Sequence, residues 1–193
     1  MRVLVLFAHP LSDSFSAALH RTVVEALTRA GHEVDDCDLY AEKFDPVLSA
    51  EERAHYHDEP ENRAPVEGYV QRLLAAEALV FVHPVWNYGF PAILKGFIDR
   101  VFLPGVSFRM ENGKAVPNLQ NIRKLAAVTT YGGDRWRTLL MGDPPRRIMM
   151  RSMRVRIKPF SPVRYLALHD MNRADEARRE RFLQRVKREM ERF

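Results

Sequence analysis

Residues 79–102 have the sequence LVFVHPVWNYGFPAILKGFIDRVF, in which an apolar run, a short loop and a helical pattern follow one another. The apolar run at residues 79–83 predicts a strand that is buried on both faces of a sheet. After the loop, Pro91 fits the first turn of a helix, and the apolar residues that follow it recur at helical spacing. A strand that leads through a loop into a helix is the repeating unit of α/β folds.

The same order of elements recurs about five times along the chain. Four further strands are predicted at residues 2–9, 33–39, 125–130 and 163–169. Helices are predicted at residues 16–30 and 65–76, and Asn172 is expected to cap a last helix. Strands that alternate with helices predict a parallel sheet with helices on both faces. We therefore assign the fold class α/β to one domain that spans residues 1–193.

Three segments depart from this alternation. Residues 40–65 are polar and acidic and are predicted to be irregular, with a short helix near residues 49–55. The pair Asn112-Gly113 predicts the turn of a β-hairpin. Residues 134–158 are basic and are predicted to be helical after Pro144-Pro145.

Length and composition exclude several classes of protein. The chain of 193 residues is long enough for a sizeable core, and no apolar run approaches the ~20 residues of a transmembrane helix, so an integral membrane protein is not expected. The apolar run at residues 3–7 predicts a buried strand rather than a signal peptide. The single cysteine, Cys37, excludes a disulfide framework and favours a reducing, cytoplasmic location. His55 and His57 lack a fixed third ligand, so no metal site is predicted.

Charge is distributed unevenly. The net charge is +5, but residues 134–164 hold nine basic and two acidic side chains, a balance of +7. Residues 42–67 hold three basic and eight acidic side chains, a balance of −5. This split argues against a general nucleic-acid binder. It favours a basic zone that serves an anionic cofactor, an acidic partner or a membrane surface, with a solvated basic face as the alternative.

The loop after the first strand, residues 9–16, is a candidate phosphate site. Ligands of parallel sheets bind beyond the carboxyl ends of the strands, and this loop brings three serines to the start of a helix. Hydroxyls, free backbone N–H groups and the positive helix end together bind phosphate. The alternative is that Ser14 or Ser16 only caps the helix. The loop has no glycine, which excludes the G-x-G-x-x-G turn and the P-loop.

Two later loops favour a flat ligand. Trp86, Asn87 and Tyr88 place two aromatic rings and an amide on a loop bounded by prolines, although ordinary packing of Trp86 under the next helix is the alternative. Gly132-Gly133 lets backbone N–H groups approach a ligand closely. His83 ends the strand before the Trp86 loop and is expected to face the same pocket, with a structural histidine as the alternative. A planar heteroaromatic cofactor with a phosphate tail matches this set, and the lack of G-x-S-x-G argues against an α/β-hydrolase.

These residues also form a known pattern. The matching motifs are Ala8-His9-Pro10, Ser14-Phe15, Asp38-Leu39-Tyr40, Phe44-Asp45-Pro46, Pro84 to Tyr88, Pro91 to Gly96, Asp99 to Phe102, Thr129-Thr130 and Gly132-Gly133. They occur in family order over roughly residues 2–135, and the chain resembles the NAD(P)H:quinone oxidoreductases of DT-diaphorase type among the flavodoxin-like flavoproteins. Residues 84–102 are the most specific part of the resemblance.

The resemblance implies a flavodoxin-like three-layer sandwich with sheet order 2-1-3-4-5, a tightly bound flavin and a homodimer with active sites at its interface. It implies that the phosphate side of the flavin is held by His9, Ser14, Phe15 and Ser16. It implies that the ring lies along Pro84, Val85, Trp86, Asn87 and Tyr88. The loop of Thr130, Tyr131, Gly132 and Gly133 would contact the polar edge of the ring, although Tyr131 interrupts the family's Thr-Thr-Gly-Gly.

The implied reaction is ping-pong. NAD(P)H gives a hydride to the flavin, and a quinone or similar aromatic acceptor then takes the electrons. Tyr88 is expected to contact the acceptor. The tyrosine and histidine that the family places after the glycines have no match here, and Arg135 is our hypothetical replacement, with a solvent-facing arginine as the alternative.

Several alternatives remain open from the sequence. The chain also resembles flavin-binding ancillary subunits of potassium-efflux transporters, and an electron-transfer flavodoxin is a second alternative. FMN is favoured narrowly over FAD. The basic zone, which includes Arg146, Arg147, Arg151, Arg154 and Arg156, is predicted to favour NADPH over NADH, unless it pairs with the acidic segment of a second subunit.

Overall fold

The structure is a computed structural model that describes all residues 1–193. Its strands are β1 (Arg2–Phe7), β2 (Glu33–Asp38), β3 (Ala78–Val85), β4 (Phe108–Glu111), β5 (Lys114–Pro117), β6 (Lys124–Tyr131) and β7 (Val163–Leu168). Five of them form one parallel sheet in the order β2-β1-β3-β6-β7. Since β4 and β5 form a separate hairpin, the sheet has the predicted order 2-1-3-4-5, which is confirmed.

Seven α-helices connect or flank the strands. They are α1 (Phe15–Arg29), α2 (Ala50–Ala54), α3 (Glu67–Ala75), α4 (Ala92–Val101), α5 (Arg135–Leu140), α6 (Pro144–Arg147) and α7 (Glu176–Glu191). A π-helical turn, Ile148–Met153, continues α6, so the predicted helix after the two prolines is confirmed. None of the helices combines the length and apolar character that crossing a bilayer demands.

The apolar residues divide into two cores, one on each face of the sheet. Val3, Val5 and Phe7 of β1 pack toward α1 and α7, whereas Leu4 and Leu6 pack toward α3 and α4. Side chains alternate across a strand, so a continuous apolar run fills both cores at once. This explains why the central strands β1 and β3 have apolar residues at successive positions, whereas the edge strand β2 does not.

The predicted hairpin turn is confirmed, and the predicted cap of the last helix is wrong. Asn112 and Gly113 both have positive φ, 50° and 75°, as a type I′ turn requires. The side chain of Asp175, not that of Asn172, accepts the capping hydrogen bond, from the Arg178 N–H at 2.7 Å. Asn172 lies in a short 3₁₀ turn, Met171–Arg173, because the chain makes one more turn after β7 before α7 begins.

The acidic segment after β2 is attached to α4 through Arg100. The guanidinium of Arg100 is buried and donates to Glu52 Oε1 at 2.6 and 2.9 Å, and also to the carbonyl of Asp45. Burial raises the pKa of Glu52, but hydrogen bonds from the Ser49 backbone and from Arg100 outweigh it and lower the pKa overall. Arg100 is part of the motif Asp99 to Phe102, one of those that carry the family resemblance. Its contacts hold two segments of the fold together.

Candidate functional site

A cleft of about 270 Å³ lies at the carboxyl ends of β1, β3, β6 and β7. We call it the sheet-edge cleft. Its lining residues are His9, Ser14, Phe15, Ser16, Pro84, Val85, Trp86, Thr130, Gly132, Met171 and Asn172. Nine of these eleven are among the thirteen predicted cofactor-binding residues. The carboxyl ends of parallel strands meet at one edge, which is why loops distant in sequence converge there.

The first loop delivers the start of α1 to the cleft. The Ser14 hydroxyl accepts a hydrogen bond from the Ala17 N–H at 3.1 Å and donates to the Leu11 carbonyl at 2.8 Å, so Ser14 caps the helix. The Leu11 N–H in turn donates to His9 Nδ1 at 3.1 Å. The N–H groups of the first helical residues, Phe15 and Ser16, have no acceptor within the helix and carry its positive end. The predicted cap is therefore present at a helix end that also lines the cleft.

The loop after β3, residues 86–91, closes on itself between Trp86 and Gly89. Each donates its N–H to the carbonyl of the other, at 3.2 and 2.8 Å. The two residues between them, Asn87 and Tyr88, have φ of 49° and 57°, which is uncommon for any residue other than glycine. Trp86 is 41% exposed, so it does not pack under the next helix, and its ring meets His9 edge-on at 5.7 Å. The turn thus holds an exposed indole at the mouth of the cleft.

The remaining predicted residues of these loops lie beside the cleft rather than in its wall. Gly133 and Tyr88 are neighbours, because a Cβ on Gly133 would lie 3.7 Å from the Tyr88 hydroxyl. Tyr131 follows Thr130 on the strand, so its side chain points to the opposite face of the sheet, where it is buried. The prediction places Tyr131 with the flavin-contacting loop, but the structure turns its ring away.

His83 does not face the sheet-edge cleft, so that expectation is wrong. It is fully buried, meets the Phe90 ring edge-on at 5.0 Å and approaches the Pro84 carbonyl through Nδ1 at 2.9 Å. Burial lowers the pKa of His83 to about 4, against a small opposite effect of the Pro84 carbonyl. The imidazole is therefore neutral at pH 7 and belongs to the core.

Two residues of the cleft were missed in the sequence, Met171 and Asn172. A Cβ on Gly132 would lie 3.4 Å from the amide nitrogen of Asn172, so this amide approaches the glycine backbone. Both residues follow the last strand of the sheet, β7, and that position was the available signal. Asn172 was interpreted instead as a helix cap, because the extra turn between β7 and α7 leaves no trace in the apolar pattern.

A second cleft, of about 450 Å³, lies next to the first. We call it the arginine cleft. Its lining residues are Arg135, Thr138, Leu139, Gly142, Asp143, Arg146, Arg147, Met150, Arg151 and His169. Arg135, which the sequence analysis offered as a replacement for a tyrosine and a histidine at the flavin, lines this cleft and not the sheet-edge cleft.

A polar cluster around the buried Tyr131 adjoins the arginine cleft, and its members Asp143 and His169 line that cleft. The Tyr131 hydroxyl donates to Asp143 Oδ1 at 2.6 Å and lies 2.5 Å from the Tyr165 hydroxyl, while its ring stacks on His169 at 4.4 Å. Burial raises the pKa of both tyrosines far above their ordinary range. Burial lowers the pKa of His169; Asp143 opposes this shift, and Arg135 and Arg146 add to it. At pH 7 Tyr131 is thus a neutral phenol that donates its hydrogen bond to Asp143.

Comparisons with known proteins agree with this architecture. A sequence model of a family described by its flavodoxin-like fold matches residues 1–191. NAD(P)H dehydrogenase (quinone) 1 of Cavia porcellus is 33% identical over 149 residues, which are 69% of this chain and 54% of that enzyme. An uncharacterized NAD(P)H oxidoreductase of Haemophilus influenzae is 37% identical over 137 residues, 69% of this chain and 66% of that protein.

A solved structure is similar over almost the whole chain. NAD(P)H:quinone oxidoreductase from Methanothermobacter marburgensis has a TM-score of 0.83 at 29% identity, and the match covers 99% of this chain and 98% of that one. The chain spans about half the length of the Cavia porcellus enzyme.

Proposed function

This chain belongs to the protein family of flavodoxin-like fold, and we propose on that premise that it is a flavin-dependent NAD(P)H:quinone oxidoreductase. The single observation that carries the proposal is the sheet-edge cleft itself. It brings the start of a long helix, an exposed indole and a glycine backbone to one edge of the sheet. These are the partners that a phosphate, a flat ring and the polar edge of that ring need.

The residues at the start of α1 fit the phosphate of a flavin. The helix has 15 residues, so its N–H groups present a partial positive charge at Phe15 and Ser16. No acidic residue lies in its first turn to oppose an anion. We propose that Ser14 and Ser16 add hydroxyl groups to this site and that His9 borders it.

The loops after β3 and β6 fit the flavin ring. Pro84, Val85 and Trp86 form an apolar wall, and the closed turn holds Trp86 in place before any ligand arrives. On the side of the cleft opposite this wall, Gly132 lets the backbone come close to the ring, next to the Asn172 amide. We propose that Thr130, Gly132 and Gly133 contact the polar edge of the ring through hydroxyl and backbone groups, and that Asn87 borders it.

When bound, the flavin would supply two-electron hydride chemistry between NAD(P)H and a quinone-like acceptor. The protein's part is position and electrostatics. Backbone N–H groups at Gly132 and Gly133 stabilise negative charge on the ring's polar edge, as donors do in an oxyanion hole. Tyr88, beside Gly133, offers a face against which an aromatic acceptor packs. Arg135 follows Gly133 by two residues but lines the arginine cleft, so we do not place it at the ring.

We favour FMN over FAD as the cofactor. FMN needs only the phosphate site at the start of α1 and the ring wall of this cleft, whereas FAD would also need a surface for its adenosine group. Phe15 is the side chain on which such an adenosine would lie. The two cofactors differ in mass, so the choice is open to direct measurement.

We also propose that the chain forms a homodimer. The short helix α5 exposes Trp136, Leu139 and Leu140, each more than 60% exposed, next to the arginine cleft. Contiguous exposed apolar side chains of this size are uncommon on a monomer and favour a protein partner. A second copy of the chain is the partner that the proposed function implies, and light scattering after size-exclusion chromatography measures it.

The visible spectrum of the purified protein tests the proposed function. A bound flavin gives absorption bands in the visible range, and mass spectrometry of the released cofactor distinguishes FMN from FAD. Addition of NAD(P)H should bleach the bands, and a quinone should restore them without an accumulating one-electron state. A colourless protein that neither flavin reconstitutes would contradict the proposal.

A further inference from the structure

We propose that the arginine cleft is a binding site for a phosphate monoester dianion. The identity of the physiological ligand rests on the proposed function: for an NAD(P)H oxidoreductase, this dianion is the 2′-phosphate of NADPH. This phosphate is the only chemical difference between NADPH and NADH. A site that recognises it makes the chain prefer NADPH as its electron donor.

The first argument is uncompensated charge. Arg135, Arg146, Arg147 and Arg151 line one cleft, and none of these four lies within 4.0 Å of a carboxylate. By contrast, Arg137, which does not line the cleft, pairs with Asp134 at 3.5 Å. Four like charges around one cavity repel one another unless an anion occupies it. The lining therefore fits a ligand with more than one negative charge.

The one acidic side chain of the cleft is already engaged. Asp143 accepts the hydrogen bond from Tyr131 and lies against the buried tyrosine pair. The lining thus carries four arginines against one carboxylate, a balance of +3. His169, which stacks on Tyr131, contributes no full charge at pH 7, because burial lowers its pKa.

Two of the four arginines lie against neighbouring groups of the fold. The guanidinium of Arg146 lies over the Tyr165 ring, 5.6 Å from its centroid. Arg147 folds back over Gly142, where a Cβ would lie 3.5 Å from its Nη1. Gly142 has φ of 78°, so this bend depends on glycine. Guanidinium groups fixed in this way lose less freedom when they bind the oxygens of a phosphate as a fork of donors.

The arginine cleft lies close to the sheet-edge cleft. Gly132 lines the sheet-edge cleft and Arg135 lines the arginine cleft, and three residues span at most ~11 Å. The two loops are joined where the Asp170 N–H donates to the Gly133 carbonyl at 2.8 Å. A nicotinamide placed over the sheet-edge cleft leaves its adenosine end free to reach the arginines.

Nucleotide binding without turnover is the first test. Isothermal titration of the flavin-loaded protein with NADP+ and with NAD+ compares two ligands that differ only in the 2′-phosphate monoester. We expect NADP+ to bind at least ~tenfold more tightly, which is the ratio that one charge-assisted hydrogen bond produces. Equal affinities would overturn the proposal. Inorganic phosphate that binds as tightly as NADP+ would overturn the assignment to a dinucleotide.

Substitution of the lining arginines is the second test. In Arg146→Gln with Arg147→Gln, the ratio of kcat/KM for NADPH to that for NADH should fall about tenfold or more at low ionic strength. Arg154→Gln is the matched control, because Arg154 belongs to the same basic segment, is exposed and does not line the cleft. An unchanged ratio together with weaker subunit association would assign these arginines to the dimer contact instead and overturn the proposal.

The two tests separate this inference from the proposed function. A protein that shows no NAD(P)H turnover but still prefers NADP+ to NAD+ retains the phosphate site and loses the proposed activity. A protein that turns over both nicotinamides equally, with no preference for NADP+, retains the activity and loses the phosphate site.

Discussion

Pro46 lies directly against the backbone of Gly96, so that a Cβ on residue 96 would overlap the Pro46 carbonyl oxygen and lie 2.5 Å from the Pro46 Cα. The contact joins the segment after β2 to the middle of α4. Arg100, one turn later on α4, reaches the neighbouring Asp45 carbonyl and Glu52. Two separate motifs of the sequence are thus two sides of one packing contact, which holds the acidic segment on the sheet's α3–α4 face.

Gly96→Ala is expected to destabilise the protein by about 3 kcal/mol or more, because the new methyl group meets rigid backbone rather than a flexible side chain. Gly68→Ala in α3 is the matched control, since nothing lies within 4 Å of its Cβ position. There we expect stabilisation of about 0.5–1 kcal/mol from helix propensity. Denaturant unfolding measures both changes. Similar effects of the two substitutions would contradict the close packing.

The stability of the protein should depend on pH through His83. Burial lowers the folded-state pKa of His83 to about 4, whereas an unfolded histidine has a pKa of about 6.5. Between these values the unfolded chain binds more protons, so the free energy of unfolding falls as pH decreases through this window. The contribution is fully present above pH ~6.5, and its loss by pH ~4 is on the order of 3 kcal/mol.

Unfolding of the wild type and of His83→Gln at pH 7, 5.5 and 4.5 checks this dependence. The variant should lose stability less steeply with acid than the wild type does, whatever its stability at pH 7. Parallel pH profiles for the two proteins would show that His83 is not the titrating group.

Ser14→Ala combined with Ser16→Ala should weaken flavin binding by ~1–3 kcal/mol, the scale of lost hydrogen bonds to a charged group. Ser14→Ala also removes the cap of α1, at a cost of about 1 kcal/mol in stability. Asp175→Ala removes the corresponding cap of α7, which lies outside the cleft. Flavin titration of the apo-proteins should therefore distinguish the two variants, with a raised Kd for flavin only in the serine variant. An unchanged Kd there would leave Ser14 as a helix cap alone.

Trp86→Ala should reduce flavin affinity, because Trp86 lines the cleft with an exposed indole held by a closed turn. Tyr88→Ala should chiefly raise the KM for an aromatic acceptor, because its hydroxyl lies beside Gly133 at the border of the cleft. Phe160→Ala is the matched control, as Phe160 is 99% exposed and lines neither cleft. Fluorescence titration and steady-state kinetics measure these effects. The same response from Phe160→Ala would show that the loss of an exposed aromatic side chain anywhere has this effect.

Much of the site was predictable because local pattern and topology suffice for it. Apolar runs that fill both faces of a strand, helical spacing between them and the handedness of crossovers lead to one sheet order, and this order brings particular loops together. Nine of the predicted residues line the sheet-edge cleft for this reason. Ser14 at the start of α1 and Trp86 after β3 are examples whose positions depend only on the strand that precedes them.

What the tertiary structure decided are the contacts between segments that lie far apart in sequence. Tyr131 turns away from the cleft because β6 alternates its side chains and the Asp143–Tyr165 pair receives the ring on the other face. Asn172 enters the cleft because an extra turn separates β7 from α7. The sequence by itself determined the sheet, its order and the loops at its edge, since hydrophobic periodicity and chain connectivity are local properties. Packing between distant segments decided which side chains of those loops meet, and no local pattern records it. The same packing brought four arginines around one cleft: Arg135, Arg146, Arg147 and Arg151.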